Sequence, residues 1–269
     1  MIDKRIFIIG SPRSGTTLLQ NSLLRSDSIF SFPETHFFYP LCNTNKVFKR
    51  LHISNKKKIS NRCRELGITT SERPYRLDHW TYKYWISKLV DHLDSTAISN
   101  GKRIWIEKTP MHLHYIPIIS KYVPNAYFIH TLRSGKDVIA SIYNYSTKHP
   151  DIWGERSLEQ CISRWNSDIV ISKQYVNTKK HIFVVYEKFI QSIDANTKDI
   201  LKQLDIKQDI SDFTDKNFDQ TVLNNEPWKQ GVRQDITSTN DTLFKETLSE
   251  KQQTMILQKI QSTDLSIFS

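Results

Sequence analysis

The chain has 269 residues, with 38 Lys+Arg against 28 Asp+Glu and a formal charge of +10. A content of 38% hydrophobic and 11% aromatic residues excludes a disordered chain. No apolar run approaches the ~18–20 residues of a membrane span, and the basic balance points to an anionic partner: nucleic acid, a membrane surface or a phosphorylated cofactor.

In chain order, Ile6-Phe7-Ile8-Ile9 is a short apolar run bounded by charge on one side and Gly-Ser-Pro on the other, and predicts a strand buried on both faces. Thr16 to Leu24 comes next as a helix. Residues 43–64 are polar and basic and read as a surface excursion. Trp80, Tyr84, Trp85, Leu89 and Leu93 predict an amphipathic helix over 80–95, and Arg103 to Glu107 a second strand. Thr109-Pro110 is a helix start, with Pro117 expected to break or kink that helix. Ala126 to Leu132 reads as the third strand and Asp137 to Tyr145 as a helix. Leu158, Ile162, Trp165 and Ile169 form a helical stripe, and Ile182 to Val185 is the fourth strand. Ser249 with Gln252 predicts a capping box on a last helix. Strands alternating with helices imply an α/β fold: a P-loop-like parallel sheet flanked by helices on both faces, as a single domain over 1–269. In such a sheet ligands bind at the carboxyl ends of the strands.

The first strand ends in Gly10-Ser11-Pro12-Arg13-Ser14-Gly15-Thr16-Thr17. A strand, a glycine-bearing turn and a helix start together make a phosphate site, because the free N–H groups and the helix dipole both face the anion. The spacing matches G-x-x-x-x-G, but Thr16 stands where the Walker motif requires lysine, and the loop carries Arg13 instead. The segment Arg13, Ser14, Gly15, Thr16, Thr17 resembles the 5′-phosphosulfate loop of sulfotransferases that use 3′-phosphoadenosine 5′-phosphosulfate (PAPS), especially the branch containing protein-tyrosine sulfotransferases and bacterial relatives. Leu132-Arg133-Ser134-Gly135 with Ser141 is similar to that family's 3′-phosphate segment. Arginine offers a planar fork of donors to such a group. The resemblance implies PAPS as cosubstrate, Arg133 and Ser141 on its 3′-phosphate, Tyr186 against the nucleotide, and Lys229 in a late loop over it. Tyr145 stands where the tyrosine branch has a further arginine, implying one fewer cation there.

Pro33-Glu34-Thr35-His36 resembles the family segment that carries the catalytic base, which implies that role for Glu34. His36 departs from the arginine of the tyrosine branch and is itself a candidate base, since histidine titrates near neutrality. Lys108 resembles the lysine that approaches the bridging oxygen, with Arg13 as a second charge stabiliser; Glu107 beside it reads as a partner for a cation. No metal is expected: His112 and His114 adjoin no carboxylate run.

A P-loop kinase or NTPase is the first alternative, opposed by the missing Walker lysine. A nucleic-acid-binding protein is the second, resting on Lys56-Lys57-Lys58 without any recognisable recognition motif. The acceptor is read only as a hydroxyl on a small molecule, lipid, sugar or peptide. Cys42, Cys63 and Cys161 are odd in number, lie far apart and form no CxxC, so neither a zinc ribbon nor a disulfide framework is expected. With four apolar residues at the N-terminus, too few for a signal-peptide core, this points to the cytoplasm.

Overall fold

The computed structural model describes residues 1–69, 77–212, 240–260 and 265–268. The run Ile6–Ile9 lies inside strand β1 (Lys4–Gly10), and its alternate side chains enter two apolar layers. Phe7 and Ile9 pack on one face, Ile6 and Ile8 on the other. Burial on both faces explains why the run is continuous rather than alternating.

Four more strands join it: β2 (Ile29–Phe32), β3 (Ile104–Lys108), β4 (Ala126–Leu132) and β5 (His181–Val185). All pairings are parallel, in the order β2-β3-β1-β4-β5. Ile8 lies opposite Lys108, and Gly10 opposite Thr131, so the loops that leave β1, β3 and β4 meet at one edge. From β1 the chain crosses to β2 on one side, whereas from β4 it goes on to β5 on the other. Neighbouring strands whose connections diverge leave a crevice between them.

The main helices are α1 (Thr16–Leu23), α2 (Lys56–Glu65), α3 (Tyr82–Ser99), α4 (Gly135–Lys148), α5 (Leu158–Lys173), α6 (Ile193–Gln203), α7 (Asn240–Thr247) and α8 (Glu250–Lys259). On one face Phe7 and Trp105 pack with Trp85, Leu89 and Leu93 of α3. On the other, Ile6, Ile8 and Ile106 pack with Leu19 and Leu23 of α1 and Leu201 of α6. The stripe Leu158, Ile162, Trp165, Ile169 is buried against Val138 and Ile142 of α4. Capping boxes close the starts of α5 (Ser157, Gln160) and α8 (Ser249, Gln252), the second as the sequence predicts.

Three local expectations are corrected. Strand β2 is added at the sheet edge; its four residues, Ile-Phe-Ser-Phe, are too short a pattern to stand out. The basic segment 43–64 is not only an excursion. Asn45 and Asn55 cap a one-turn helix (Lys46–Arg50) and α2, and Ile59 and Cys63 of α2 are fully buried. Finally, Pro110 opens a 3₁₀ turn (Pro110–Tyr115), and Pro117 stands in the first turn of the next helix (Ile116–Tyr122), where a missing N–H is harmless.

Candidate active site

The loop after β1 is shaped by its glycines. Gly10 has φ +150°, and a Cβ there would meet the Thr131 carbonyl oxygen at 2.4 Å. Gly15 has φ +92°, and a Cβ would meet the Tyr186 ring at 2.3 Å. Only glycine lets the chain lie against both neighbours in those conformations. Arg13 adopts a left-handed φ of 71° although it has a side chain, strain of order 1–3 kcal/mol of the kind that collects at functional loops. The Ser14 hydroxyl lies 2.8 Å from Thr131 Oγ1 and donates to the Ser11 carbonyl at 2.7 Å. The Ser11 hydroxyl donates to Asp168 Oδ2 at 2.7 Å. At the start of α1, no side chain caps the helix and no acidic residue stands in its first turn. Its first N–H groups and its dipole are therefore directed at whatever the loop encloses.

Two guanidinium groups converge on this loop. Arg13 donates through Nε to Ser141 Oγ at 3.0 Å and stacks on Tyr145 at 4.2 Å. Arg133 donates to the Arg13 carbonyl at 3.2 Å and stacks on Tyr186 at 4.3 Å. Burial lowers the Arg13 pKa, the Tyr145 contact opposes that, and the nearby Arg133 charge lowers it further. Arginine nevertheless stays protonated in proteins, so two cations are held side by side. Glu187 accepts from the Ser134 N–H at 2.9 Å, and burial raises the Asp137 pKa above the ordinary carboxylate range, against the pull of Arg133 and Lys136.

A second group lies at the end of β3. Lys108 is buried, with its side chain 1% exposed, and its ammonium donates to Glu34 Oε1. Burying a lysine at this depth requires a paired charge. Glu34 Oε2 is 3.2 Å from His36 Nε2. Burial lowers the His36 pKa, opposed by Glu34 and Glu107, so the ring is neutral at pH 7. His36 also has a left-handed φ of 45°.

The turn that carries Glu34 is held from beneath. Glu107 is fully buried and accepts from the Thr35 N–H at 3.0 Å, the Thr35 hydroxyl at 2.9 Å and the Thr109 hydroxyl, while its other oxygen is 2.9 Å from His112 Nδ1. Burial alone would raise the Glu107 pKa; the His112 interaction and the hydroxyl and N–H donors outweigh it, and the carboxyl lies below the usual range. From α2, Arg62 donates to the carbonyls of Thr35 at 2.6 Å and Glu34 at 3.3 Å.

The structure thus brings Glu34, His36 and Lys108 together, and separately Arg13, Arg133, Ser141, Tyr186 and the loop Ser14–Thr17. Arg13, read from the sequence as a partner of Lys108 in charge stabilisation, rests with Ser141 and Tyr145. Glu107, read from the sequence as a partner for a cation, is held instead by Thr35, Thr109 and the imidazole of His112. Lys229 lies outside the described residues. Sequence reasoning missed Thr35, Thr109, His112, Arg62 and Asp168 as supports. A glutamate and a histidine five apart around Thr-Pro at a strand end was the available signal for the Glu107–His112 pair. His114 Nε2 contacts Asp168 at 2.7 Å, and among the described residues no group of three or more His, Cys, Asp or Glu side chains is arranged to hold a metal.

Residues 5–210 match the model of the Sulfotransferase family. The chain belongs to that family. Among characterised proteins, this sulfotransferase family member is 24% identical over 238 residues to protein-tyrosine sulfotransferase A of Caenorhabditis elegans, covering 87% of this chain and 55% of that protein. It is 28% identical over 166 residues to human protein-tyrosine sulfotransferase 1, covering 61% of this chain and 40% of that protein. The chain therefore spans about half the length of these relatives or less. Its fold is shared with the sulfotransferase domain of the Synechococcus PCC 7002 olefin synthase (TM-score 0.51, 19% identity, 91% of this chain and 94% of that one). It is shared also with mouse sulfotransferase SULT7A1 complexed with PAP (TM-score 0.55, 13% identity, 97% and 86%). No described helix is long and apolar enough to cross a membrane.

Proposed function

We propose that this chain transfers the sulfuryl group of PAPS to a hydroxyl of an acceptor by in-line displacement. The observation that carries the reading is the meeting, at one sheet edge, of a paired-arginine anion cradle and a buried lysine–carboxylate pair. The donor set fits a nucleotide with phosphate at both ends: an uncapped helix start, two converging guanidinium groups, Ser141, and a loop pressed against Tyr186. Like charges held side by side are relieved by an anion, which is what a 3′-phosphate supplies. With Tyr145 in place of the tyrosine branch's arginine, Arg13 itself brings the second cation to Ser141.

When bound, the cosubstrate supplies the sulfuryl group and leaves as adenosine 3′,5′-bisphosphate. Glu34 takes the proton of the acceptor hydroxyl as its oxygen bonds to sulfur. Lys108 offers its charge to the bridging oxygen as the S–O bond breaks. Lys108 contacts one oxygen of the Glu34 carboxyl and His36 the other, which fixes its orientation. Glu107 and Arg62 orient the turn. No step is assigned to a metal. A cytoplasmic location rests on the three free thiols Cys42, Cys63 and Cys161. The reading treats 1–269 as one catalytic domain.

The test is turnover with labelled PAPS across a panel of phenol, sugar, lipid and peptide hydroxyls. Glu34→Gln keeps shape but removes the base, so turnover is expected to fall by ~10²-fold or more while nucleotide binding persists. Near-normal turnover in Glu34→Gln, with loss in His36→Ala, would move the base to His36.

A further inference from the structure

Charge in this chain is spread unevenly. From Thr35 to Arg64 there are eight Lys and Arg and no Asp or Glu, a formal +8 out of the +10 of the whole chain. Arg62 pairs with Glu65, whereas Lys46, Lys49, Arg50, Lys57 and Lys58 form no ion pair among the described residues.

The same stretch displays apolar side chains. Every residue from Thr44 to Leu51 is exposed, and the one-turn helix Lys46–Arg50 buries none of its side chains. Val47 is 62%, Phe48 44% and Leu51 64% exposed. The Leu51 N–H donates to the Val47 carbonyl at 3.0 Å, so these two residues lie one turn apart on the same side. Trp80, 49% exposed, is tied to the same place. Its carbonyl accepts from the Ser54 N–H at 2.7 Å, and the preceding Ile53 N–H donates to the Phe48 carbonyl at 2.8 Å. The Lys56 ammonium lies 5.5 Å from the indole centroid. Other exposed large apolar residues, such as Ile98, Val170 and Leu257, stand singly along the chain, which is ordinary for a surface. Four on one projection, rimmed by cations, mark an interaction site. The proposed reaction uses none of these side chains.

We propose that this projection docks the protein on an anionic membrane surface. A bilayer is complementary to both halves of it: anionic headgroups to the lysines and Arg50, and the acyl boundary to Val47, Phe48 and Leu51. An indole with an ammonium beside it suits the level between the two, where tryptophan collects. A nucleic acid would engage the cations through its phosphates and leave the apolar side chains in water. An acidic protein would need a pocket shaped to the projection, whereas a fluid lipid surface needs none. Docking requires neither nucleotide nor acceptor, so the proposal stands independently of the sulfotransferase reading.

Co-sedimentation of the full chain with vesicles of phosphatidylcholine alone, and of phosphatidylcholine and phosphatidylserine in equal parts, tests it. The anionic vesicles are expected to bind at least tenfold tighter than the neutral ones. Salt at ~1 M, where screening acts within ~3 Å, is expected to weaken that binding at least tenfold. Lys46→Gln with Lys49→Gln removes two cations, each contributing about fivefold at such a surface, and is expected to weaken it at least tenfold. Phe48→Ser with Leu51→Ser keeps every charge and is expected to weaken it as much. All four positions are exposed, and both variants are expected to melt at the native temperature. No preference for the anionic vesicles, or an affinity unchanged by Phe48→Ser with Leu51→Ser, would overturn the proposal. A duplex RNA bound more tightly than the vesicles, and equally well by that variant, would overturn it too and assign the surface to a polyanion.

Discussion

Glu107 shows how one side chain sets up a reaction centre without touching a reacting atom. It is a carboxylate with no exposure, and it survives there because Thr35, Thr109 and His112 surround its two oxygens. Its removal strands all three partners. Glu107→Ala is expected to destabilise the fold by about 3–5 kcal/mol, measured by urea unfolding, and to lower turnover by releasing the turn that carries Glu34. Unchanged stability would mean that the pair is not formed. Lys108→Ala acts differently. Its effect is expected mainly on kcat, since the bridging oxygen loses its charge partner, and a purely KM effect would contradict the role given to it. Lys108 and Arg133 were singled out from local strings at the ends of β3 and β4, Ser141 from its place on the helix after Arg133, and Glu34 from its resemblance to the family's base segment alone. Thr35 was not, because its partner Glu107 is reached across the fold; His112 stands five residues after Glu107, a spacing across a 3₁₀ turn that matches neither strand nor α-helix periodicity.

Among the elements, the loop from β1 into α1 carries the most information per residue. Its glycines, its proline and Arg13 mark an anion loop in the sequence alone, while the reason Gly15 must be glycine lies in β5's successor Tyr186, whose ring occupies the space of a Cβ. Gly15→Ala meets both that clash and a strained φ. Nucleotide affinity is expected to fall at least tenfold, about 1.4 kcal/mol. Gly101 also has positive φ, +72°, but opens onto empty space, so Gly101→Ala is expected to leave nucleotide affinity unchanged. Equal losses in the two variants would assign the effect to backbone strain alone. Asp168 of α5 supports the same loop: it binds Ser11, His114 and, through both oxygens at 2.9 and 3.0 Å, Arg164. Nothing in the heptad-like stripe of α5 marks this residue, since it sits beside Ile169 and reads as an ordinary helix-surface aspartate. The helices hidden in 43–64 were missed for a related reason. Ile59 and Cys63 are four apart and buried, but the surrounding Lys and Arg dominate any window that contains them.

At the scale of the whole molecule, the strand order places the site, and a histidine pair between β4 and β5, His130 buried and His181 half-buried, sets its acid limit. His130 Nε2 and His181 Nδ1 share a hydrogen bond of 2.9 Å between β4 and β5. Burial pushes the pKa of His130 down to about 3, aided by His181, and that of His181 down to about 4. Both values lie below the ordinary ~6.5 of an unfolded histidine, so protons bind the unfolded chain first. The stability held by the neutral pair is complete above pH 6.5 and is lost as pH falls from there toward 4. His36 and His52, also lowered by burial, act in the same direction. Glu107, with its depressed pKa, adds a further loss only below the range of unfolded carboxyls. Thermal melts are expected to show Tm falling between pH 6.5 and 4.5, with a shallower slope in His130→Asn; a flat profile over that range would contradict the histidine pair.

The two arginines and Ser141 at the β1–β4 crevice are held to recognise a 3′-phosphate that ordinary nucleotides lack. Calorimetric titration of adenosine 3′,5′-bisphosphate against ATP with Mg²⁺, on the native chain and on Arg133→Ala, tests this most directly. The bisphosphate is expected to bind at least tenfold tighter than ATP, and saturation at 100 Kd to raise stability by ~2.7 kcal/mol. Arg133→Ala is expected to abolish the preference. Equal affinity for the two nucleotides, or a preference that survives Arg133→Ala, would contradict that recognition.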